Sequence, residues 1–227
     1  MSYPEQFQTD IFQTSAGDLK ITFLGHGSLL LSFAGKYIYI DPFGKVADYS
    51  RLPKADLALV THEHFDHLDP QALRAMRTDK TVLVATPACA SQLPGCLVMK
   101  NGESLTVTGI QVEAVPAYNL VHTRPDGQPF HPKGEGNGYI LTFGDLRLYI
   151  AGDTENIPEM KAIKDISLAF LPMNLPFTMT PEMAAEAARM IKPKILYPYH
   201  FGETDTAQLV KLLKDTPEIE VRIRRMA

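Results

Sequence analysis

Three of the chain's seven histidines fall in one short run, Thr61-His62-Glu63-His64-Phe65-Asp66-His67. The run follows an apolar stretch, Leu57–Thr61, that reads as a strand. His62, His64, Asp66 and His67 therefore all leave the carboxyl end of one strand and can converge on a small volume. Crowded imidazoles depress one another's protonation, which leaves their lone pairs for a cation. Imidazole and carboxylate donors without a thiolate suit Zn, Mn, Fe or Co. A lone histidine is usually a satisfied core or surface group. No packing need accounts for His-x-His-x-Asp-His behind an apolar strand, so the run reads as a metal site.

One turn of chain cannot complete two such sites, and further donors stand in suitable places. Asp153 follows the strand-like Leu146–Ile150 in Ala151-Gly152-Asp153-Thr154, and His200 follows Ile195–Tyr199. His131 lies in a long aperiodic segment just before Gly138–Phe143. Polar residues where strands end are where sites collect in sheet proteins. Asp41, at the end of Tyr37–Ile40, either binds metal or holds a ligating imidazole through its second nitrogen. His26, between two glycines at the end of the first strand, either faces the site as a proton donor or bonds its own loop; the site reading is preferred.

The elements that must position these groups are legible as alternating short apolar runs. Strands are expected at Leu19–Leu24, Ser28–Phe33, Tyr37–Ile40, Leu57–Thr61 and Thr81–Thr86, then at Ser104–Val107, Ile110–Val115, Gly138–Phe143 and Leu146–Ile150. Thr108-Gly109 and Gly144-Asp145 mark hairpins. Helices are expected at Pro70–Arg77, at Pro181–Ile191 and at Thr206–Lys214, with strands at Ser167–Leu171, Ile195–Tyr199 and Ile219–Ile223. Thr180 can cap the second helix, Pro181 fits its first turn, and Met183, Ala187, Met190 and Ile191 form its core-facing stripe. Two sheets with helices outside satisfy this order in one α/β (α+β) domain spanning 1–227. The segment Pro116–Asn137 is long for a structureless connection, which marks it as functional or mobile.

Composition narrows the partners. The chain has 227 residues, 45% hydrophobic and 21% charged, with net charge −4, which is ordinary for a globular protein. Only Arg222, Arg224 and Arg225 cluster as bases, so no nucleic-acid footprint is expected. No apolar stretch approaches a bilayer span. Met1–Asp10 is polar and lacks the charged-then-apolar pattern of an export signal, so a cytoplasmic location is expected. Cys89 and Cys96 are too few for a disulfide framework and read as buried free thiols.

With these motifs in hand, the chain resembles the metallo-β-lactamase fold superfamily, whose order is His-x-His-x-Asp-His, a distant His, an Asp and a final His. The resemblance covers nearly the whole chain. Leu24-Gly25-His26-Gly27-Ser28, Phe130-His131-Pro132-Lys133, Ala151-Gly152-Asp153-Thr154 and Tyr197-Pro198-Tyr199-His200 look like the small, single-domain branch of predicted metal-dependent hydrolases. That branch is related to L-ascorbate-6-phosphate lactonase and, more distantly, to the N-acyl-phosphatidylethanolamine phospholipase D group. The resemblance implies a four-layer αββα sandwich and two divalent metal ions, Zn first, with Mn or Fe as alternatives. His62, His64 and His131 would hold one metal, Asp66, His67 and His200 the other, and Asp153 would bridge them. His122 competes with His131, which is preferred for its Phe-His-Pro-Lys context. Asp41 matches the family's strand-end aspartate.

The implied activity is hydrolysis of a small, anionic ester, lactone or phosphodiester by a metal-bridging hydroxide, with Asp66, Asp153 and His26 as the catalytic side chains. Lys133, Arg124, Tyr118, Asn119 and Asn174 are the expected substrate contacts. No spare segment accommodates the inserted domain of nucleic-acid-processing members, and no helical region after His200 matches the glyoxalase type. Two other classes stay open: a mononuclear iron dioxygenase acting on persulfides, and a metal-stabilised binding module without turnover. The sequence does not decide between a monomer and a homo-oligomer.

Overall fold

The computed structural model describes residues 6–227. Its strands pair into two seven-stranded sheets. The first comprises β1 (Gln8–Thr14), β2 (Gly17–Gly25), β3 (Ser28–Phe33), β4 (Lys36–Ile40), β5 (Leu57–Leu59), β6 (Val82–Ala85) and β7 (Leu97–Val98), in that spatial order. The second comprises β8 (Ser104–Val107), β9 (Ile110–Ala117), β10 (Gly136–Phe143), β11 (Leu146–Ile150), β12 (Leu168–Pro172), β13 (Ile195–Tyr199) and β14 (Glu220–Val221), again in sequence order. Each sheet begins as an antiparallel meander and ends in parallel pairs, from β4 with β5 onward and from β11 with β12 onward. Hairpins return the chain at once, whereas parallel strands need crossovers. The carboxyl ends of β4, β5, β11 and β13 are thus left free to launch long connections on one rim.

Three α-helices cover the outer faces among the described residues. Helix α1 (Pro70–Met76) buries Leu73 and Met76 with Tyr39, Ala58 and Val60 of the first sheet. Helices α2 (Pro181–Ile191) and α3 (Thr206–Leu212) lie over Tyr149, Ala169, Leu171 and Leu196 of the second. Leu29, Leu31 and Leu59 meet Leu141, Leu148 and Phe170 between the sheets. Burying each such side chain contributes about 1.5–3 kcal/mol. The order helix, sheet, sheet, helix is the expected αββα sandwich, and the two mixed sheets with few helices match that fold.

Side-chain caps set the helix starts. Asp69 accepts from the amides of Gln71 and Ala72 at α1, Thr180 from Met183 at α2, and Asp205 from Ala207 at α3. The buried face of α2 is mostly alanine, with Ala184, Ala185, Ala187 and Ala188 beside Ile191. Small residues let the helix approach the sheet closely, so Met183 and Met190 are displaced to the flanks and only half-buried.

The structure differs from the sequence reading in three further places. Strand β1 was not expected, because its inward-leaning residues include the polar Gln8 and Asp10 while Ile11 points to solvent. It is held by an ion pair of Asp10 with Arg224 at 2.7 Å, so the C-terminal arginines are partly structural. The final strand shrinks to Glu220–Val221. Cys89 is buried, but Cys96 is half-exposed; both are free. The N-terminal export reading rests partly on residues 1–5, outside the described residues. Among the described residues, no helix is long and apolar enough to cross a membrane.

Candidate metal centre

The rim formed by those strand ends carries the histidine run. After β5, Thr61 and His62 continue into a short turn in which the amides of His67 and Leu68 bond the carbonyl of His64. Asp41, just past β4 and fully buried, fixes this turn. It accepts from the Thr61 amide at 2.7 Å and the Thr61 hydroxyl at 2.6 Å, and from Nδ1 of His67 at 2.8 Å. A carboxylate oxygen accepts here, so Nδ1 of His67 carries a proton and Nε2 faces the rim.

Asn119 does the same for His131. Its Oδ1 lies 2.6 Å from Nδ1 of His131 and accepts the His131 amide at 2.9 Å. Its Nδ2 donates to Glu155 and to the Phe177 carbonyl, both pure acceptors, so the orientation of the amide is determined. Nδ1 of His131 is thereby occupied and its Nε2 is aimed toward Asp153, 3.3 Å away.

Two groups of donors result. Nε2 of His62 and Nδ1 of His64 stand 3.1 Å apart, with His131 completing a trio. His26, Asp66, His67 and His200 form a second cluster within mutual coordination distance. Asp153, after β11, lies between them: its Oδ2 is 3.3 Å from His131 and 3.5 Å from His200, and its Oδ1 is 3.5 Å from His67. Gly152 makes that placement possible. It has φ +67°, and a Cβ there would come within 2.8 Å of the Asn137 carbonyl oxygen.

A cation fits this arrangement. Nε2 of His67, Nε2 of His131, both ring nitrogens of His200 and Oδ1 of Asp153 are buried without a hydrogen-bond partner. Native interiors rarely leave such groups orphaned. The charges agree. Burial and the neighbouring His67 hold the His62 imidazole well below its ordinary value. Burial pushes the Asp153 carboxyl up, but His200 and His67 more than reverse this and leave it ionised. Burial also lowers His67, and Asp153 and Asp41 together override it, so the cluster attracts positive charge. Zn, Mn and Fe all accept such mixed imidazole and carboxylate donors.

All seven expected ligands are thus brought together, with Asp41 behind them. His131, and not His122, stands with His62 and His64 among the described residues, while His122 is bound by Glu155. This fully buried carboxylate takes the amides of Leu120, Val121 and His122, each at 2.7 Å, and Nδ1 of His122 at 2.7 Å. His122 thus ties the loop to Glu155 through both its amide and its ring. Glu155 escaped the sequence reading; its only sign was a second carboxylate two residues beyond Asp153. His26 does face the site, with Nε2 3.0 Å from Oδ2 of Asp66 and its ring 3.8 Å from that of His200.

Of the expected substrate contacts, Arg124 and Asn174 line a cavity of about 370 Å³ that opens over His64, Asp66, His131 and His200. Tyr118, Asn119 and Lys133 do not line it. Tyr118 and Lys133 both bond Glu159, the lysine at 2.8 Å, and Asn119 is occupied with His131. Such groupings depend on which strand ends meet, which spacing along the chain does not reveal.

Residues 20–200 match the family model of the beta-lactamase superfamily domain. The chain belongs to that superfamily. Relatives named UPF0173 metal-dependent hydrolase include one from Koribacter versatilis, 34% identical over 200 residues, covering 81% of this chain and 84% of that protein. Another, from Pelotomaculum thermopropionicum, is 32% identical over 220 residues, covering 90% and 96%. The crystal structure of a protein from Parabacteroides distasonis, described as a metal-dependent hydrolase, is 51% identical, with TM-score 0.93 over 97% of this chain and all of that one.

Proposed function

We propose that this chain is a cytoplasmic, single-domain metal-dependent hydrolase that cleaves a small anionic ester, lactone or phosphodiester at a dinuclear centre. The observation that carries this reading is the set of orphaned buried donors on His67, His131, His200 and Asp153. The names shared by its relatives support the reaction class. His62, His64 and His131 would hold one metal and Asp66, His67 and His200 the other, with Asp153 between them. Zinc is the preferred ion. Bound there, divalent metal supplies Lewis acidity and lowers the pKa of a coordinated water to about 7.

The chain's own residues do the rest. Asp66 and Asp153 hold the proton of the attacking water at their carboxylate oxygens. His26, at hydrogen-bond distance from Asp66, is placed to pass that proton on. Asp41 and Asn119 keep His67 and His131 in fixed tautomers, so no reorganisation is needed when charge develops. Arg124 and Asn174 orient the substrate from the cavity wall.

The test is hydrolysis of an aryl phosphodiester and of an aryl carboxylic ester or lactone by zinc-loaded protein, with chelator-treated protein as control. Chelator-sensitive turnover of either class supports the reading. Absence of turnover of both, with metal bound, contradicts it.

A further inference from the structure

The cavity over the donors has walls of a different character from its floor. Phe65, Phe130 and Phe177 line it, and Arg124 is its lone lysine or arginine. Phe65 is 70% exposed and Phe177 40% exposed. Singly exposed apolar residues are ordinary, but a ring of them around a polar centre marks a binding surface. These rings are held in place. Phe65 packs edge-on to Phe43 at 6.0 Å, beneath the Lys45 ammonium at 5.6 Å. Phe130 and Phe177 meet edge to face at 5.0 Å.

The collar is also tied to the donors. Asn119 bonds the Phe177 carbonyl at 2.9 Å with one end of its amide and orients His131 with the other. Phe65 stands in the histidine run itself, next to Asp66. Arg124 lies over the Phe130 ring at 5.4 Å and donates to the Phe130 carbonyl at 3.2 Å. Among the described residues it has no carboxylate partner, so its charge is available at the mouth.

We propose that Phe65, Phe130, Phe177 and Arg124 form a specificity subsite for an aryl or short alkyl group carrying one anionic substituent, so that the molecule cleaved is amphiphilic. This rests on the hydrolase reading of the centre and narrows its substrate class. The phenyl faces take the apolar part, and the guanidinium takes the anion beside them. A small sugar-like ester, hydroxylated all round, would leave its hydroxyls without partners against these rings.

The experiment is calorimetric titration of zinc-loaded protein with n-alkylphosphonates from methyl to hexyl, which no hydrolysis can consume. Affinity is expected to rise about two- to fourfold per added methylene until the cavity is filled. Phe65→Ser and Phe177→Ser are expected to flatten that series, with zinc content and thermal unfolding confirming a folded protein. A carboxylate at the end of the alkyl chain is expected to tighten binding in the wild type and not in Arg124→Gln. A flat series with methylphosphonate bound would overturn the subsite and leave the hydrolase standing. No phosphonate binding at all would overturn both. A dimer dissociated by Phe65→Ser with the series unaltered would assign the collar to a subunit contact and overturn the subsite.

Discussion

Replacing Glu155 with glutamine isolates what one buried carboxylate does for the metal centre. Its Oε2 accepts the amides of Leu120 and Val121, and its Oε1 accepts the amide of His122, Nδ1 of His122 and Nδ2 of Asn119. Glutamine has the same shape but one oxygen. With that oxygen on the more heavily used side, its NH2 must face the amides of Leu120 and Val121, which lose their acceptor. Each orphaned donor costs about 1–3 kcal/mol. The loop can relax toward solvent at the exposed Leu120 and Val121, so the low end applies, about 2 kcal/mol in all. For a chain of this size that lowers the melting temperature by about 4–8 °C. The remaining neutral oxygen still accepts from Asn119 but without the carboxylate's charge, so that bond weakens, His131 is held less firmly and zinc affinity falls about 10–100-fold. The assays are thermal unfolding of metal-free protein and zinc titration against a competing chelator, with Asp126→Asn on the exposed part of the same loop as control. Wild-type melting and affinity in Glu155→Gln would refute the claim that this carboxylate positions His131.

Other substitutions and conditions probe separate parts of the account. Gly152→Ala is expected to destabilise by about 2–4 kcal/mol, because it strains a positive-φ residue and drives a methyl into the Asn137 carbonyl, and to weaken metal binding by displacing Asp153; denaturant unfolding and metal titration read the two effects. Asp41→Asn is expected to cost about 10–100-fold in metal affinity, since an amide cannot accept from Thr61 and His67 together as the carboxylate does, and unchanged affinity would argue against a positioning role. Burial pushes the Cys89 thiol up to about 11 from 9.0. Its contribution is complete below pH 9, where the thiol is neutral in both states. Between about 9 and 11 the unfolded thiol ionises and the folded one does not, so stability falls as pH rises through that window. Melting temperature measured from pH 8 to the alkaline side is expected to drop, less so in Cys89→Ala; parallel curves would contradict it.

The sequence exposed most of the frame because hydrophobic alternation and chemistry coincide here. The apolar run Leu57–Val60 leads directly into Thr61 and the histidine run, so strand and site were read from the same residues. The antiparallel hairpins are written in Thr108-Gly109 and Gly144-Asp145. Three-dimensional partners were hidden. His131 is preferred to His122 on sequence context alone, and the bonds that hold each ring, Glu155 for one and Asn119 for the other, are invisible in that context. Lys133 looks like an anion-binding loop residue until Glu159 is found beside it, across a long chain separation. Strand β1 is hidden for a related reason: Asp10 is half-buried by virtue of Arg224, and a polar residue leaning inward breaks the pattern that identifies a strand.

The most direct measurement of the central claim is the metal content of the purified protein after zinc loading and dialysis, compared with His131→Ala and His200→Ala. A dinuclear centre built from these residues holds about two equivalents per chain in the wild type and about one in each variant, since the two histidines serve different sites. Less than one equivalent in the wild type, or identical content in all three proteins, would contradict a dinuclear centre built from these residues.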